Sequence, residues 1–579
     1  MNYIDKYNFW RQNPYFDEQT REELESIKDN IKEIEERFYK DLEFGTGGLR
    51  GIIGAGTNRM NIYTVAKATQ GLANYLLKNE HNVQNKGVVI AYDSRHKSPE
   101  FALKAALVLC ANGIRTYVFD ELRPTPELSF AVRYLKASAG IVVTASHNPK
   151  QYNGYKVYGS DGGQLPLNGT EAVIQEIYKI EDITAIPVMS EEEALNKGLL
   201  KYIGKEIDDE YINSLKKLSI IVNNIDSMAK AMKIIYTPLH GTGKKPVMRI
   251  LKETGFDNIL IVKEQQDPDP DFSTVKSPNP EEKSAFELAI KMAQKEDVDL
   301  IIGTDPDSDR VGVVVKNKEG EFVVLTGNQT GCLLMEYIIS QKTERNEMPQ
   351  NPFVVKTIVT TELAKKIAAF YNVTLIEVLT GFKFIGEKIK ELDENGNMNF
   401  IFGFEESYGY LAGTFVRDKD AVVASMLIAE MAAFYRQKGM TLYEGLIELF
   451  NKYGYYMEGI TSFDLEGKEG LEKIGKAMQY LRDTRPRNFG NYVIKAFRDY
   501  QKGFRYDLFS GNEEKLDLPQ SNVLYYETED DSWFCVRPSG TEPKIKIYYG
   551  VYTDSIDASE KKLESLKSEV VSFISKCIG

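Results

Sequence analysis

The stretch Ala139–Pro149, AGIVVTASHNP, sets a pattern that recurs along the chain. Its first half is an apolar run typical of a buried strand, and its second half exposes Ser146 and His147 on a turn-rich loop. The same order appears in VDLIIGTDPDSDR (Val298–Arg310) and in NFIFGFEESYGY (Asn399–Tyr410). Each time, a predicted strand ends in a loop that carries groups able to do chemistry.

Predicted helices alternate with these strands. SPEFALKAALVLCANG reads as a helix with Ser98 as N-cap, Pro99 as the first helical residue and Gly113 at its end. EEKSAFELAIKMAQKE (Glu281–Glu296) reads as a further helix. Three strand–helix units of roughly a hundred residues each predict three related α/β domains, with ligands gathered at the carboxyl ends of their strands.

The C-terminal region has a different pattern. Residues 522–553 are strand-like on both sides of a turn-rich loop, and residues 558–577 form an amphipathic helical pattern. This is typical of a smaller α+β domain. We therefore expect an α/β protein with domains at residues 1–206, 207–326, 327–450 and 451–579.

Composition restricts the class of protein. The chain has 579 residues, 42% hydrophobic and 27% charged, with a net charge of −13, four scattered cysteines and no CxxC. It lacks a long apolar run and an apolar N-terminal leader, so we expect no membrane partner and a cytoplasmic location. The acidic charge argues against nucleic acid, and any anionic ligand would need local positive pockets.

The acidic loop DPDSDR predicts a metal site. Asp305, Asp307 and Asp309 follow an apolar strand and would repel one another unless a hard divalent cation neutralised them. An EF-hand is excluded, because its glycine and glutamate positions hold Arg310 and Lys316. The alternative is a solvated acidic turn, which a buried strand just before it disfavours.

The other loops are less specific when taken singly. Ser146 could be a nucleophile or phosphate carrier, with His147 and Lys156 as partners, or it could be a capping serine. Glu405 and Ser407 could bind sugar hydroxyls or form a polar turn. The loop RPSGTEPKIK (residues 537–546) offers an anion-binding set, and its alternative is a surface turn.

Nucleotide-binding motifs are excluded. In FGTGGLRG (residues 44–51) Arg50 stands where a dinucleotide fingerprint needs glycine. Near GTGKK (residues 241–245) a Walker A motif is broken by Pro238 and Lys245.

Taken in order, these loops resemble the α-D-phosphohexomutase family, which includes phosphoglucomutases and phosphomannomutases. The matching pieces are GTGGLRG, TASHNP with NGYK, DPDSDR, TGFKF, FEES and RPSGTEPK, which together span residues 45–544. The N-terminal segment and SHNPKQYNGYKVYGSDGGQL resemble most the branch with bacterial phosphoglucomutases and phosphopentomutases.

The resemblance implies three α/β domains and a phosphate-binding C-terminal domain around a central cleft. It implies a phosphoserine at Ser146 and Mg²⁺ held by Ser146, Asp305, Asp307 and Asp309. It assigns catalysis to Ser146, His147, Lys156 and Arg50, substrate binding to Arg310, Thr380, Gly381, Lys383, Glu405 and Ser407, and phosphate binding to Arg537, Ser539, Gly540 and Thr541. Sugar phosphates would be the partners, glucose 1,6-bisphosphate the activator, and a monomer the simplest assembly.

The expected reaction interconverts glucose 1-phosphate and glucose 6-phosphate. A phosphopentomutase or phosphomannomutase would share every motif, so pocket shape must decide among them. A sugar-bisphosphate synthase would need a separate phosphoryl donor. A catalytically silent sugar-phosphate-binding protein is a fourth alternative, which the presence of the serine, the three aspartates and Lys156 disfavours.

Overall fold

The computed structural model describes residues 2–45, 47–220, 226–465, 467–539 and 544–578. The chain forms two compact units. The first comprises Met1–Thr326, Ile385–Phe400 and Tyr408–Thr441, and the second comprises Gly327–Phe384, Ile401–Ser407 and Leu442–Gly579. Across the described residues, every helix is too short or too polar to cross a membrane.

The first unit contains two sheets and most of the helices. Its helices are α1 (Tyr3–Gln12), α2 (Glu18–Ser26), α3 (Ile31–Phe38), α4 (Ile62–Asn79), α5 (Val83–Lys86), α6 (Ser98–Ala111), α7 (Thr125–Tyr134), α8 (Leu167–Tyr178), α9 (Glu191–Asn196), α10 (Lys205–Lys216), α11 (Asp226–Ala231), α12 (Lys244–Glu253), α13 (Glu287–Ala293) and, later in the chain, α17 (Ala421–Gln437). Its strands are β1 (Gly48–Ile52), β2 (Val88–Tyr92), β3 (Thr116–Phe119), β4 (Ala139–Val143), β5 (Tyr152–Gly159), β6 (Leu200–Ile203), β7 (Ile234–Thr237), β8 (Ile259–Ile261), β9 (Leu300–Thr304), β10 (Val311–Lys316), β11 (Phe322–Leu325) and β15 (Gly409–Leu411).

The six-stranded sheet of this unit has the order β1-β5-β4-β2-β3-β6. Strands β4, β2, β3 and β6 run parallel, and β5 and β1 join antiparallel at one edge. Strand β4 is fully buried, as its apolar run predicts, and the loop with Ser146 follows its carboxyl end. The predicted α/β class is confirmed here.

The five-stranded sheet has the order β11-β10-β9-β7-β8. Its fully buried strand β9 ends at Thr304, so Asp305 is the first residue beyond it. The adjacent strand β7 runs parallel to β9 and ends at Thr237. The turn after β7 and the acidic loop after β9 therefore emerge at the same sheet edge.

Two local predictions are wrong. Helix α6 has Lys97 as N-cap, with φ of 66°, and not Ser98; the Ser98 hydroxyl donates instead to Asp93 Oδ1 at 2.7 Å. The segment predicted as one helix over Glu281–Glu296 holds a 3₁₀ turn (Lys283–Phe286) followed by the short α13. The i to i+3 bond from Ala285 N to Glu282 O tightens that first turn.

The second unit has two more sheets. Its helices are α14 (Gly327–Glu344), α15 (Leu363–Phe370), α18 (Leu442–Tyr453), α19 (Gly467–Thr484) and α20 (Ile556–Ile578), and its strands are β12 (Pro352–Thr357), β13 (Thr374–Val378), β16 (Tyr455–Asp464), β17 (Asn488–Phe489), β18 (Tyr492–Asp499), β19 (Phe504–Asp507), β20 (Glu513–Lys515), β21 (Leu524–Thr528), β22 (Trp533–Pro538) and β23 (Lys544–Thr553). Helix α16 (Phe382–Asn395) and strand β14 (Asn399–Glu405) cross the positions that divide the units.

The sheet that carries the sugar-binding candidates contains β13, β12 and β14 in that order, with β13 parallel to β12. The C-terminal sheet runs β16-β23-β22-β21-β18-β19-β20 and is antiparallel throughout, as the α+β pattern predicts. Helices α19 and α20 pack their apolar faces against it.

Candidate active site

The loop after β4 holds Ser146 in a restrained geometry. Ser146 is 4% exposed and has φ of 52°, in the left-handed region that serine seldom adopts. Its backbone N–H donates to Thr144 Oγ1 at 2.8 Å, and this contact stabilises the turn. Strain of this kind persists where surrounding contacts fix the backbone, and it is typical of functional sites.

A buried arginine supplies most of those contacts. The Arg95 guanidinium donates to four backbone carbonyls of the loop, those of Ser146 and Asn148 at 2.5 Å, Pro149 at 3.0 Å and Tyr152 at 3.1 Å. A planar fork of five N–H groups suits this task, because one side chain can bind several carbonyls at once. These contacts hold the backbone of the loop that carries Ser146.

The acidic loop, Asp305–Arg310, contacts Ser146. The side chains of Asp305, Asp307 and Asp309 are all buried and offer oxygens within 4.8 Å of one another. Ser146 Oγ donates to Asp305 Oδ2 at 2.6 Å. The other oxygen of Asp305 accepts the backbone N–H groups of Asp309 and Arg310 at 3.1 and 3.0 Å. The structure thus brings the serine and the three aspartates into one cluster.

Two lysines and a threonine counter the negative charge. Lys156 Nζ lies 3.0 Å from Asp307 Oδ2, and Lys419 Nζ lies 3.1 Å from Asp309 Oδ2. Thr125 Oγ1 also donates to Asp307 Oδ2, at 2.9 Å. Because the site is buried, each of these pairs acts with little screening from solvent.

The surroundings separate the pKa values of two of the carboxyls. Burial, followed by the charges of Asp307 and Asp309, raises the pKa of Asp305 well above its ordinary value. Burial acts to raise the pKa of Asp307, but the charge and hydrogen bond of Lys156, the hydrogen bond with Asp305 and the charge of Lys419 together hold that pKa below its usual range. A cluster of acids with separated pKa values is a mark of a functional site.

These residues fit a hard divalent cation. Asp307 Oδ1 and Asp309 Oδ1 are buried and have no hydrogen-bond partner among the described residues. Buried carboxylate oxygens without a donor are costly, and a cation with oxygen ligands would satisfy them. Asp305, Asp307, Asp309 and an oxygen on Ser146 therefore match the ligands that Mg²⁺ prefers.

His147 and the two arginines border the same cluster. His147 Nδ1 lies 3.2 Å from Ser146 Oγ, and burial together with Arg310 and Arg50 holds its pKa well below the ordinary value. Arg50 Nη1 donates to Asn148 Oδ1 at 3.2 Å, on the loop that carries the serine. Arg310 pairs with Glu281 at 2.5 Å. All three predicted residues thus lie around the serine.

The predicted sugar-binding residues lie in the second unit. Glu405 ends β14 and is buried, while Ser407 beyond it is partly exposed. Gly381 has φ of 118°, which only glycine adopts readily, and it leads into the helix that carries Lys383. Thr380 Oγ1 is buried without a hydrogen-bond partner in the part of the chain that the structure describes.

The predicted phosphate-binding residues are only partly described. Arg537 lies on β22 opposite Lys546 of β23, and both Arg537 and Ser539 are partly exposed. The backbone N–H of Ser539 donates to Lys544 O at 2.7 Å. Gly540 and Thr541 lie outside the described residues.

Glu406 was not predicted, although the motif FEES contains it. Its carboxyl accepts from Thr357 and Thr360 at 3.2 and 3.3 Å. Burial, and then the charge of Glu405, raises the pKa of Glu406 to about 7, and Arg537 opposes this shift.

Lys419, Thr125 and Arg95 were also missed by the sequence reasoning. A signal for Lys419 was available, because VRDKDA alternates charges immediately before an apolar-rich helix, and such charges must be paired when buried. Asp418 does pair with Lys419 at 3.1 Å. Thr125 and Arg95 carry no comparable pattern, because their roles depend on contacts distant in sequence.

Comparison with known proteins identifies the family. Four domains described for phosphoglucomutase/phosphomannomutase match the chain: alpha/beta/alpha domain I over residues 41–184, domain II over 209–320, domain III over 326–453 and the C-terminal domain over 486–566. The chain belongs to this family.

Relatives of similar length support the assignment. A phosphoglucomutase of Staphylococcus haemolyticus is 40% identical over 523 residues, which cover 90% of this chain and 92% of that protein. A phosphoglucomutase of Staphylococcus aureus strain MRSA252 is 39% identical over 536 residues, covering 92% and 94%. The family resemblance read from the loops is therefore confirmed.

Solved structures share the fold. The open form of parafusin, a phosphoglucomutase from Paramecium, has a TM-score of 0.67 at 19% identity and covers 93% of this chain and 96% of its own. A family protein from Burkholderia thailandensis has a TM-score of 0.64 at 18% identity, covering 91% and 97%. At these identities the likeness concerns the fold alone.

Proposed function

We propose that this protein is a phosphoglucomutase that interconverts glucose 1-phosphate and glucose 6-phosphate through a phosphoserine at Ser146. The observation that carries the proposal is the 2.6 Å contact between Ser146 Oγ and Asp305 within a buried cluster of three aspartates and two lysines. The phosphoglucomutases that cover most of this chain at about 40% identity support the choice of a hexose.

The reaction consists of two phosphoryl transfers, each of which moves a different phosphoryl group. In the first, the bond from phosphorus to Ser146 Oγ breaks, and a new bond forms to a free hydroxyl of the sugar monophosphate. The product is glucose 1,6-bisphosphate, which turns around in the site. In the second, its other phosphoryl group returns to Ser146 and leaves the isomeric monophosphate. The two transfers consume no water and need no external phosphoryl donor.

Protons must move as these bonds change. In the first transfer the attacking sugar hydroxyl loses a proton and the Ser146 oxygen gains one as its bond to phosphorus breaks. In the second transfer the Ser146 hydroxyl loses its proton and the hydroxyl freed on the product gains one. We assign this exchange to His147 or Lys156, which lie nearest Ser146 and the aspartates. Lys156, Lys419 and Arg50 stabilise the charge on the phosphoryl oxygens by their fixed positions.

Asp305, Asp307, Asp309 and an oxygen of the phosphorylated Ser146 would hold Mg²⁺. When bound there, the cation supplies Lewis-acid stabilisation of charge on phosphoryl oxygens. Glucose 1,6-bisphosphate would act as activator, because it phosphorylates Ser146 directly.

Further residues are proposed to bind the substrate. We assign Glu405, Ser407 and Lys383 to the sugar ring, and Arg537 to the non-reacting phosphate. Arginine binds phosphate oxygens in a bidentate fashion, and carboxylates accept strongly from sugar hydroxyls.

The broader organisation is also proposed. The four domains would span residues 1–206, 207–326, 327–450 and 451–579, and the protein would act as a cytoplasmic monomer on small sugar phosphates. Sedimentation at several protein concentrations would test the monomer.

The test is a substrate panel measured with saturating Mg²⁺ and a trace of glucose 1,6-bisphosphate. We expect kcat/KM for glucose 1-phosphate to exceed that for ribose 1-phosphate and mannose 1-phosphate by at least ~10-fold, since substrates are discriminated by transition-state contacts. A higher value for ribose 1-phosphate would make the protein a phosphopentomutase. No turnover of any sugar phosphate would remove the proposed function.

A further inference from the structure

A short turn after β7 packs directly on the acidic loop. This turn, Leu239–Gly243, has the sequence LHGTG and belongs to the GTGKK segment that nucleotide binding did not explain. The backbone N–H of Thr242 donates to Pro306 O at 2.8 Å. Its hydroxyl lies 3.0 Å from the same carbonyl and 3.1 Å from Ser308 Oγ. Thr242 therefore contacts both residues that separate the three aspartates.

The Leu239–Gly243 turn and the acidic loop are closely packed at Gly241 and Gly243. A Cβ on Gly241 would lie 2.4 Å from Pro306 Cα, and a Cβ on Gly243 would lie 2.7 Å from Ser308 Oγ. Separations below 3.0 Å do not occur between real Cβ atoms and backbone. Gly241 thus lets the turn approach the backbone of the acidic loop, and Gly243 leaves room for the Ser308 side chain.

The acidic loop itself is strained at the point of contact. Ser308, between Asp307 and Asp309, has φ of 51°. A serine in the left-handed region is strained and needs surrounding contacts to hold it. The Thr242 hydroxyl is one such contact, and Ala421 N donates to Ser308 O at 3.2 Å as another.

Contacts with other segments of the first unit hold the Leu239–Gly243 turn in place. Leu239 and His240 both have positive φ, of 44° and 63°. The His240 ring binds Asp267 O at 3.1 Å through Nδ1 and Thr274 Oγ1 at 2.8 Å through Nε2. A carbonyl can only accept, so Nδ1 of His240 carries a proton and donates to Asp267 O. These contacts of His240 hold the turn that carries Thr242.

We propose that Thr242 is a positioning residue for the divalent-cation site: its hydroxyl holds the Pro306–Ser308 backbone so that Asp305, Asp307 and Asp309 converge. Its contacts are to Pro306 O and Ser308 Oγ, so it acts on the aspartates through the loop. The inference rests on the proposed function, because it takes the three aspartates as the Mg²⁺ ligands. Groups that orient metal ligands from outside commonly change metal affinity by 10–100-fold when lost.

The test compares two substitutions of nearly equal size. Thr242→Val keeps the shape and loses the hydroxyl, whereas Thr242→Ser keeps the hydroxyl and loses a methyl group. Mg²⁺ is titrated calorimetrically into each purified protein without sugar phosphate. We expect Thr242→Val to weaken Mg²⁺ binding about 10-fold or more, and Thr242→Ser to stay within about threefold of the unsubstituted protein.

A second readout does not depend on metal. Hydrogen exchange of the peptide that contains residues 304–311, measured in EDTA, should be faster in Thr242→Val than in Thr242→Ser. The matched control is Thr254→Val, at the far end of α12, whose hydroxyl donates to Ile250 O at 2.7 Å. This control also removes a threonine hydroxyl. It should leave both the Mg²⁺ affinity and the hydrogen exchange of residues 304–311 unchanged.

The outcomes separate the two proposals. Unchanged Mg²⁺ affinity and loop exchange in Thr242→Val, or equal losses in Thr242→Val and Thr254→Val, would overturn the role of Thr242. Absence of Mg²⁺ binding in the unsubstituted protein would overturn the metal set of the proposed function, and loop exchange would still decide whether Thr242 holds the acidic loop.

Discussion

The acidic cluster of the first unit and the ligand-binding candidates of the second unit are built differently. Around Ser146 the three aspartates are buried, and lysine ammonium groups lie within 3.1 Å of two of them. In the second unit Arg537, Ser539 and Lys383 are all partly exposed. The first region has buried charges that are largely paired with one another, whereas Arg537 and Lys383 in the second remain partly exposed.

We infer from this difference that the first region stabilises the transition state and the second binds the ground state of the substrate. Electrostatic stabilisation of a transition state works best from groups that need no reorganisation, which burial and mutual pairing provide. Ground-state binding needs groups that a ligand can reach. Substitutions in the first unit should therefore lower kcat, and substitutions in the second should mainly raise KM.

The largest expected effect is at the serine itself. Ser146→Ala removes the group that accepts the phosphoryl, so kcat should fall by at least ~10³-fold while the KM for glucose 1-phosphate changes little. Steady-state kinetics with purified protein measure both. The control is Ser138→Ala, another buried serine of the same unit, whose hydroxyl has no hydrogen-bond partner among the described residues. Comparable losses in both variants would mean that Ser146 serves the fold and not the chemistry.

The next effect tests the carboxylates. Asp307→Asn removes a negative charge that two donors and a proposed cation share, and we expect kcat to fall roughly 10²-fold or more, with a higher Mg²⁺ requirement. Activity measured across a range of Mg²⁺ concentrations gives the result. Asp297→Asn is the control, because that aspartate is fully exposed and 3.6 Å from Lys316. An unchanged Mg²⁺ requirement in Asp307→Asn would contradict the ligand set.

The contrast between the units would fail if a substitution in the second unit lowered kcat as substitutions in the first unit are expected to do. Arg537→Ala should raise KM about 10-fold to 100-fold, because charge-assisted hydrogen bonds to phosphate contribute about 1.5–3 kcal/mol. Its kcat should change much less than that of Asp307→Asn. Arg487→Ala, an exposed arginine of the same unit, should change neither constant. A fall in kcat without a change in KM would assign Arg537 to the chemical step.

The last effect concerns stability in the first unit and not the reaction. Asp420 caps α17 by accepting the backbone N–H groups of Val422 and Val423, and the Tyr211 hydroxyl, each at 2.9 Å. Burial raises the pKa of Asp420 to about 6. Because this pKa lies above its unfolded value, the native state loses stability as pH rises from ~4 to about 6, by about 3 kcal/mol, and changes little from this cause above it.

Asp420→Asn keeps the cap acceptor and should abolish that slope. The chain has two tryptophans, Trp10 in the first unit and Trp533 in the second. In a Trp533→Phe background, urea unfolding followed by tryptophan fluorescence therefore reports the first unit. A slope that survives Asp420→Asn would place its origin in another group.

Much of the fold could be predicted from sequence because its signals are local. The apolar runs Gly140–Val143 and Leu300–Gly303 are buried strands, and the loops after them emerge at strand ends as the α/β pattern requires. Helix starts were less predictable: Ser98 has the chemistry of an N-cap, yet its hydroxyl binds Asp93, a contact that local sequence does not encode.

The same contrast holds for the candidate site. The residues that carry charge in short motifs, such as Asp305 and Lys156, could be found by spacing and resemblance. The residues that hold them in place could not, because Arg95, Thr125 and Thr242 act through backbone carbonyls and single hydroxyls far along the chain. Their contacts follow from the fold and leave no periodic pattern in the sequence.

The most direct test of the account is the phosphorylation of Ser146. The purified protein is incubated with glucose 1,6-bisphosphate, digested and analysed by tandem mass spectrometry, and a second portion is mixed with glucose 6-phosphate before digestion. The account predicts one phosphoryl group on Ser146 in the first sample and its loss in the second, with bisphosphate appearing in solution. An active enzyme that never carries phosphate on Ser146 would contradict it.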